Sequence, residues 1–105
     1  MSKETTKDIT PWYVYLIRTS SNTLYCGVTT DIERRFAEHQ HSKKGAKYLK
    51  GKGPLTLAWS QKVFNKRDAM VFEYKIKNTL TKASKEQLIK INTDLYLLFP
   101  KIKPQ

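Results

Sequence analysis

The sequence predicts an α+β fold: a small three-stranded antiparallel sheet flanked by helices, in the order β-hairpin, helix, strand, two helices. Three observations carry this. Trp12 to Arg18 and Thr23 to Val28 are short runs rich in aromatic and branched residues, with the turn chemistry of Ser20-Ser21-Asn22 between them. Apolar residues recur at helical spacing after Asp31 and again after Asn65. Between those helices Leu55 to Phe64, carrying Leu55, Leu57, Trp59 and Val63, has the makings of a third strand.

In the hairpin, loop length decides which side chains share a face. A three-residue loop sets Thr19 opposite Thr23. Tyr13, Tyr15, Ile17, Tyr25 and Gly27 then line one face, expected to be a surface of phenol tips. Val14, Leu16, Leu24 and Cys26 line the other, which is plain core. A two-residue loop would separate Tyr15 from Tyr25, because a one-residue slip inverts every side chain of a strand.

The first helix starts near Asp31, where Thr30-x-x-Glu33 has the capping-box pattern. Ile32 and Phe36 are spaced to meet the core, and Arg35 and His39, four residues apart, share an adjoining side. Ser42 to Gly53 contains Lys43, Lys44, Lys47, Lys50 and Lys52 with no acid, and is expected to be a flexible basic loop. Asn65 caps a second helix, Lys66 to Leu80, and Ser84-x-x-Gln87 opens a third that ends near Ile91. The expected organisation is a flexible tail over residues 1–10, one domain over 11–92 and a C-terminal extension over 93–105.

Composition narrows the partners. The 105 residues suffice for one modest core. Lys plus Arg number 20 against 9 Asp plus Glu, a formal charge of +11 that favours a polyanion, since each phosphate neutralised releases condensed counterions. A basic surface serving solubility alone is the plainer alternative. With one cysteine, Cys26, an internal disulfide and a Cys-rich zinc site are excluded. The first residues lack the apolar core of a signal peptide and no apolar run reaches membrane-spanning length, so the expectation is a cytoplasmic protein with no membrane partner.

Glu73 is out of place. Ala69, Glu73, Ile76 and Leu80 follow the spacing of one helical face, so a carboxylate falls in an apolar stripe. A buried carboxylate needs a cation, hydrogen bonds or a raised pKa. It is either a metal ligand or the partner of an Arg or Lys at the edge of the stripe. A hard ion such as Mg²⁺ keeps several waters and takes substrate phosphate, so one acid suffices for it. Tyrosines, an arginine and a misplaced acid on a basic chain together suggest phosphodiester chemistry.

These residues resemble the GIY-YIG nuclease superfamily, and in particular its small stand-alone bacterial branch. Tyr13-Val14-Tyr15 stands where the family has Gly-Ile-Tyr, and Tyr25-Cys26-Gly27 where it has Tyr-Ile-Gly. Arg35 follows at the family's spacing, with His39 one turn later, and Glu73 matches its metal-binding acid. Gly45-Ala46-Lys47-Tyr48 followed by Pro54 looks like the small branch. The chain departs from the pattern at Tyr13 and Cys26, neither of which removes a group the chemistry needs.

The resemblance implies metal-dependent hydrolysis of DNA, structure-selective or non-specific, leaving a 5′-phosphate and a 3′-hydroxyl. It makes Tyr25 the general base, Tyr15 the group that orients Tyr25 or the water, and Arg35 a fork on the phosphate. Glu73 would hold one Mg²⁺ or Mn²⁺ at the leaving oxygen, and His39 would contact phosphate or assist proton transfer. Lys43, Lys44, Lys47, Lys50 and Lys52 would supply non-specific phosphate contacts, with Tyr48 set among them to stack on a base. DNA is favoured over RNA, and a monomer or weak dimer is expected. Two alternatives remain open: a nucleic-acid-binding module without turnover on the same fold, and a subunit that docks a protein partner through Leu95 to Phe99 and the C-terminal tail.

Overall fold

The computed structural model of the protein describes residues 10–103. Of the tail expected over residues 1–10, only Thr10 lies within that range. Three strands, β1 (Trp12–Arg18), β2 (Leu24–Thr29) and β3 (Thr56–Val63), form one antiparallel sheet in the order β2-β1-β3. Among the described residues four α-helices accompany it: α1 (Ile32–His41), α2 (Lys66–Thr79), α3 (Lys82–Ile91) and the short α4 (Leu95–Leu98).

The hairpin has the three-residue loop. The Thr19 N–H donates to the Thr23 carbonyl at 2.9 Å, and Asn22 closes the loop at φ 69°, in the left-handed region that Asn tolerates. Tyr15 therefore pairs with Gly27 and Ile17 with Tyr25. On the other side of β1, Leu16 pairs with Trp59 and Ile17 with Leu57, so Ala58 is the extra residue of a β-bulge.

As the central strand, β1 is buried on both faces. Val14 and Leu16, with Cys26 of β2, meet Trp59 and the Ala69, Phe72 and Ile76 stripe of α2. The opposite face was expected to show phenol tips, but it carries a second small core. Tyr15 (3% exposed) and Ile17 (1%) pack there with Leu49 and Leu55, and Ile32 and Phe36 of α1 close over them. The lysine loop is accordingly not the flexible segment expected. Its 3-10 turn, Lys47–Leu49, drives Leu49 into this core, and the Lys52 carbonyl accepts from the Ser20 N–H at 2.9 Å.

Helix caps match the expected chemistry with small shifts. Asp31, not Thr30, caps α1, accepting from the Arg34 N–H at 3.1 Å and placing a carboxylate at the positive end of the helix dipole. Asn65 caps α2 as expected. Helix α3 starts ahead of Ser84, because Thr81 accepts from the Ser84 N–H at 3.0 Å. Beyond α3 the chain folds back: Leu95 is fully buried, and the ring of Tyr96 meets Phe72 edge-on at 4.9 Å. Leu97 stays 76% exposed. Among the described residues no helix is long and apolar enough to cross a membrane.

Candidate active site

The second small core ends in a cluster of polar tips at the junction of β1, β2 and α1. The Tyr15 hydroxyl lies 2.8 Å from His39 Nε2, and His39 Nδ1 accepts the Ala46 N–H at 3.0 Å. These two bonds fix the tautomer. An amide can only donate, so Nδ1 is unprotonated, the ring proton sits on Nε2, and His39 donates to Tyr15. The phenol's own proton is left to point elsewhere.

Glycines make this arrangement fit. A Cβ on Gly27 would overlap the Tyr15 hydroxyl and Cζ. A Cβ on Gly45 would stand 2.6 Å from the Glu38 carbonyl and 2.7 Å from His39 Cα. Gly45 thus lets the loop press onto α1, which brings the Ala46 N–H to the imidazole.

Burial and charge set the protonation states. Burial pushes the Tyr15 phenol up to about 12, charge on Tyr25 adds to this, and the Arg35 guanidinium works against it. His39 is held below its usual value by burial and then by Arg35. Tyr15 and His39 are therefore both neutral at pH ~7. Arg35 Nη1 donates to Glu38 Oε1 at 2.8 Å and to the Lys44 carbonyl at 2.9 Å, tying the guanidinium to both helix and loop.

Tyr25, half-buried, joins the same cluster. Its ring meets His39 edge-on at 5.8 Å and stacks on Tyr48 at 5.7 Å with 17° between planes. Lys52 Nζ lies over Tyr48, 4.6 Å from its centroid. Tyr15, Tyr25, Arg35, His39, Tyr48 and Lys52 are thus brought together, whereas Lys43, Lys44, Lys47 and Lys50 are exposed on the loop that carries Tyr48. Behind His39 a polar cavity of about 400 Å³ opens among Gln40, His41, Lys43 and Lys50.

Glu73, on α2, is linked to this cluster through Lys77, whose ammonium lies 5.7 Å from the Tyr25 ring centroid. Phe72 takes the buried place in the apolar stripe, and Glu73 stands at its edge with a side chain 20% exposed. Its Oε2 pairs with Lys77 Nζ at 3.2 Å. Both charges act on the Cys26 thiol of β2, which burial above all pushes up to about 12. Among the described residues no group of three or more His, Cys, Asp and Glu is placed to hold a metal. A lone carboxylate suits a hard divalent ion that keeps its waters and takes further oxygens from substrate, and does not suit a closed zinc site.

Two residues escaped the sequence reading. Lys77 is one: its Nζ also stands 5.7 Å from the Tyr25 ring centroid, and its only signal was the four-residue spacing from Glu73. Asp68 is the other, the fully buried acid of α2. Tyr96 donates to Asp68 Oδ2 at 2.7 Å, Arg67 Nη2 approaches Oδ1 at 3.0 Å, and the Phe64 N–H donates to the Tyr96 hydroxyl at 2.7 Å. This network ties α4 to α2.

The family model of the GIY-YIG catalytic domain matches residues 11–87. The UPF0213 protein YhbQ of Escherichia coli O127:H6 is 57% identical over 81 residues, covering 77% of this chain and 79% of that protein. A UPF0213 protein of Vibrio parahaemolyticus is 61% identical over 80 residues, 76% of this chain and 74% of the relative. The solution NMR structure of a UPF0213 protein from Bacillus halodurans is 36% identical and superposes with a TM-score of 0.51, covering 90% of this chain and 99% of that one.

Proposed function

Since the chain belongs to the GIY-YIG family, among its small bacterial UPF0213 proteins, we propose that it is a divalent-metal-dependent nuclease hydrolysing DNA phosphodiester bonds. The observation that carries this is the Tyr15 to His39 bond at 2.8 Å, with Ala46 holding the far side of the imidazole. A phenol locked from both sides, beside a second phenol and a guanidinium, suits a site that must aim a water at phosphorus.

The roles follow from the protonation states. Tyr15 accepts from His39 and keeps its own proton, so it donates to Tyr25 or the attacking water and orients it. Tyr25, nearer the surface and beside Lys77, serves as the general base. Arg35 supports the phosphoryl oxygens. His39 acts through Tyr15 and Ala46 as a positioning residue, a narrower part than direct contact with phosphate. When bound, Mg²⁺ or Mn²⁺ stabilises charge on the leaving oxygen, and Glu73 is the residue that holds it. The exposed lysines provide contacts to the backbone and no base readout. A protein working as a monomer or weak dimer in the cytoplasm fits these contacts.

The test is cleavage of labelled single-stranded, duplex, flapped and branched DNA and of RNA, with Mg²⁺ or Mn²⁺. Arg35→Ala and Glu73→Gln are each expected to abolish cutting while binding persists. Cutting that survives both Glu73→Gln and a chelator would overturn the metal-dependent reading. Salt-sensitive binding without cutting by any form would point to a non-catalytic module.

A further inference from the structure

We propose that Lys77 is the resident cation of the Glu73 site, occupying in the substrate-free protein the place that a divalent ion takes on binding. This rests on the reading of Glu73 as a metal ligand.

The geometry is that of a shared position. Glu73 and Lys77 lie one turn apart on α2 with the acid N-terminal, the favoured orientation for such a pair. Nζ is 3.2 Å from the carboxylate and also over the ring of Tyr25. A divalent ion on Glu73 would stand within a few ångströms of that ammonium, and two cations at this range repel. The lysine is therefore displaced when metal arrives. Its side chain is 45% exposed, so it re-enters water at small cost on a flexible stem.

Two consequences follow. Metal binds the free protein more weakly than Glu73 alone would allow. Phosphate at the site offers Lys77 a new partner and adds negative charge, so polyanion and metal each tighten the binding of the other, as linkage requires. Lys77 thereby couples metal loading to substrate.

The test measures Mn²⁺ binding by calorimetry on the nucleic-acid-free protein, with circular dichroism checking that each variant is folded. Lys77→Met is expected to bind Mn²⁺ roughly five- to tenfold more tightly than the parent, with the gain shrinking in high salt. Lys77→Arg should restore parental affinity. Lys75→Met, which removes the same charge elsewhere on α2, should change it less than about twofold. Glu73→Gln should remove saturable binding from both the parent and Lys77→Met. Binding through Glu73 that is equally tight in the parent and Lys77→Met would overturn the role of Lys77 alone. An equal gain in Lys75→Met would do the same, by reducing the effect to net charge. Mn²⁺ binding that ignores Glu73→Gln would overturn the metal-ligand reading and the proposal with it.

Discussion

The hydroxyl of Tyr15 lies against the Cα of Gly27 across the β1–β2 pair, leaving no room for a methyl group between them. Tyr15 has no empty space to rotate into, since its ring is packed in the second core and its oxygen is held by His39, so an added methyl is met by a small shift of the phenol. Gly27→Ala is therefore expected to displace the hydroxyl rather than unfold the chain. A misplacement near 1 Å costs on the order of 10²-fold in rate, and overpacking costs about 1–3 kcal/mol. Steady-state cleavage and denaturant unfolding of the variant separate the two. Parental kcat in a stable Gly27→Ala protein would show that the position of Tyr15 does not matter.

His39 gives the protein a pH response with a defined sign. Folding holds its pKa below that of the unfolded chain, so between the two values the unfolded chain binds more protons. The stabilisation is fully present above pH ~6.5 and is lost as pH falls through the window beneath it. Protonation also turns Nδ1 into a donor facing the Ala46 N–H, which loosens the loop from α1. Thermal midpoints of the parent and His39→Gln, taken from pH ~5 to ~7.5, isolate this contribution from the general effect of charge. The parent should lose more than the variant on acidification, and parallel curves would contradict the assignment.

Much of the site was legible because the sheet is local. The sequence narrowed the Tyr15–Gly27 register to a choice of turn length, which the structure resolves as three residues, and helix spacing paired Arg35 with His39. What stayed hidden depends on contacts between distant segments. Leu49 reaches the core only because Gly45 lets the loop lie on α1, and neither residue announces this. Likewise Phe72 rather than Glu73 takes the buried place, a difference set by a small rotation of α2 on the sheet. Asp68 looked like an ordinary residue of the first helical turn, because its partner Tyr96 lies 28 residues away.

The Asp68–Tyr96 bond should matter for stability and little for chemistry. Asp68 is fully buried, so removing its partner leaves a desolvated acceptor. Tyr96→Phe also leaves the Phe64 N–H without its acceptor. The loss at buried Asp68 costs about 1–3 kcal/mol, and the loss at the exposed Phe64 N–H, which water can reach, costs less. Denaturant unfolding of Tyr96→Phe should show a lower midpoint with an unchanged slope, while kcat at 25 °C stays near the parental value. A large fall in kcat with unchanged stability would mean that this end of α2 communicates with the tyrosines.

The lysines of the loop should separate into two kinds. Lys43, Lys44, Lys47 and Lys50 are exposed on the loop that carries Tyr48, so each that touches backbone contributes counterion release. Changing Lys43 and Lys47 to Gln should lower the slope of log K against log salt by roughly 0.7–0.9 per lost contact, with kcat at saturation unchanged. Lys52 differs, because its ammonium lies over Tyr48, whose ring also stacks on Tyr25. Lys52→Gln is expected to loosen that stack and lower kcat, and Lys52→Arg, which retains a cation for the ring, to recover it. Filter binding across a salt series, paired with saturating cleavage rates, reads both effects. If Lys52→Gln changes only the salt slope, Lys52 is one more phosphate contact and the stack does not hold Tyr25.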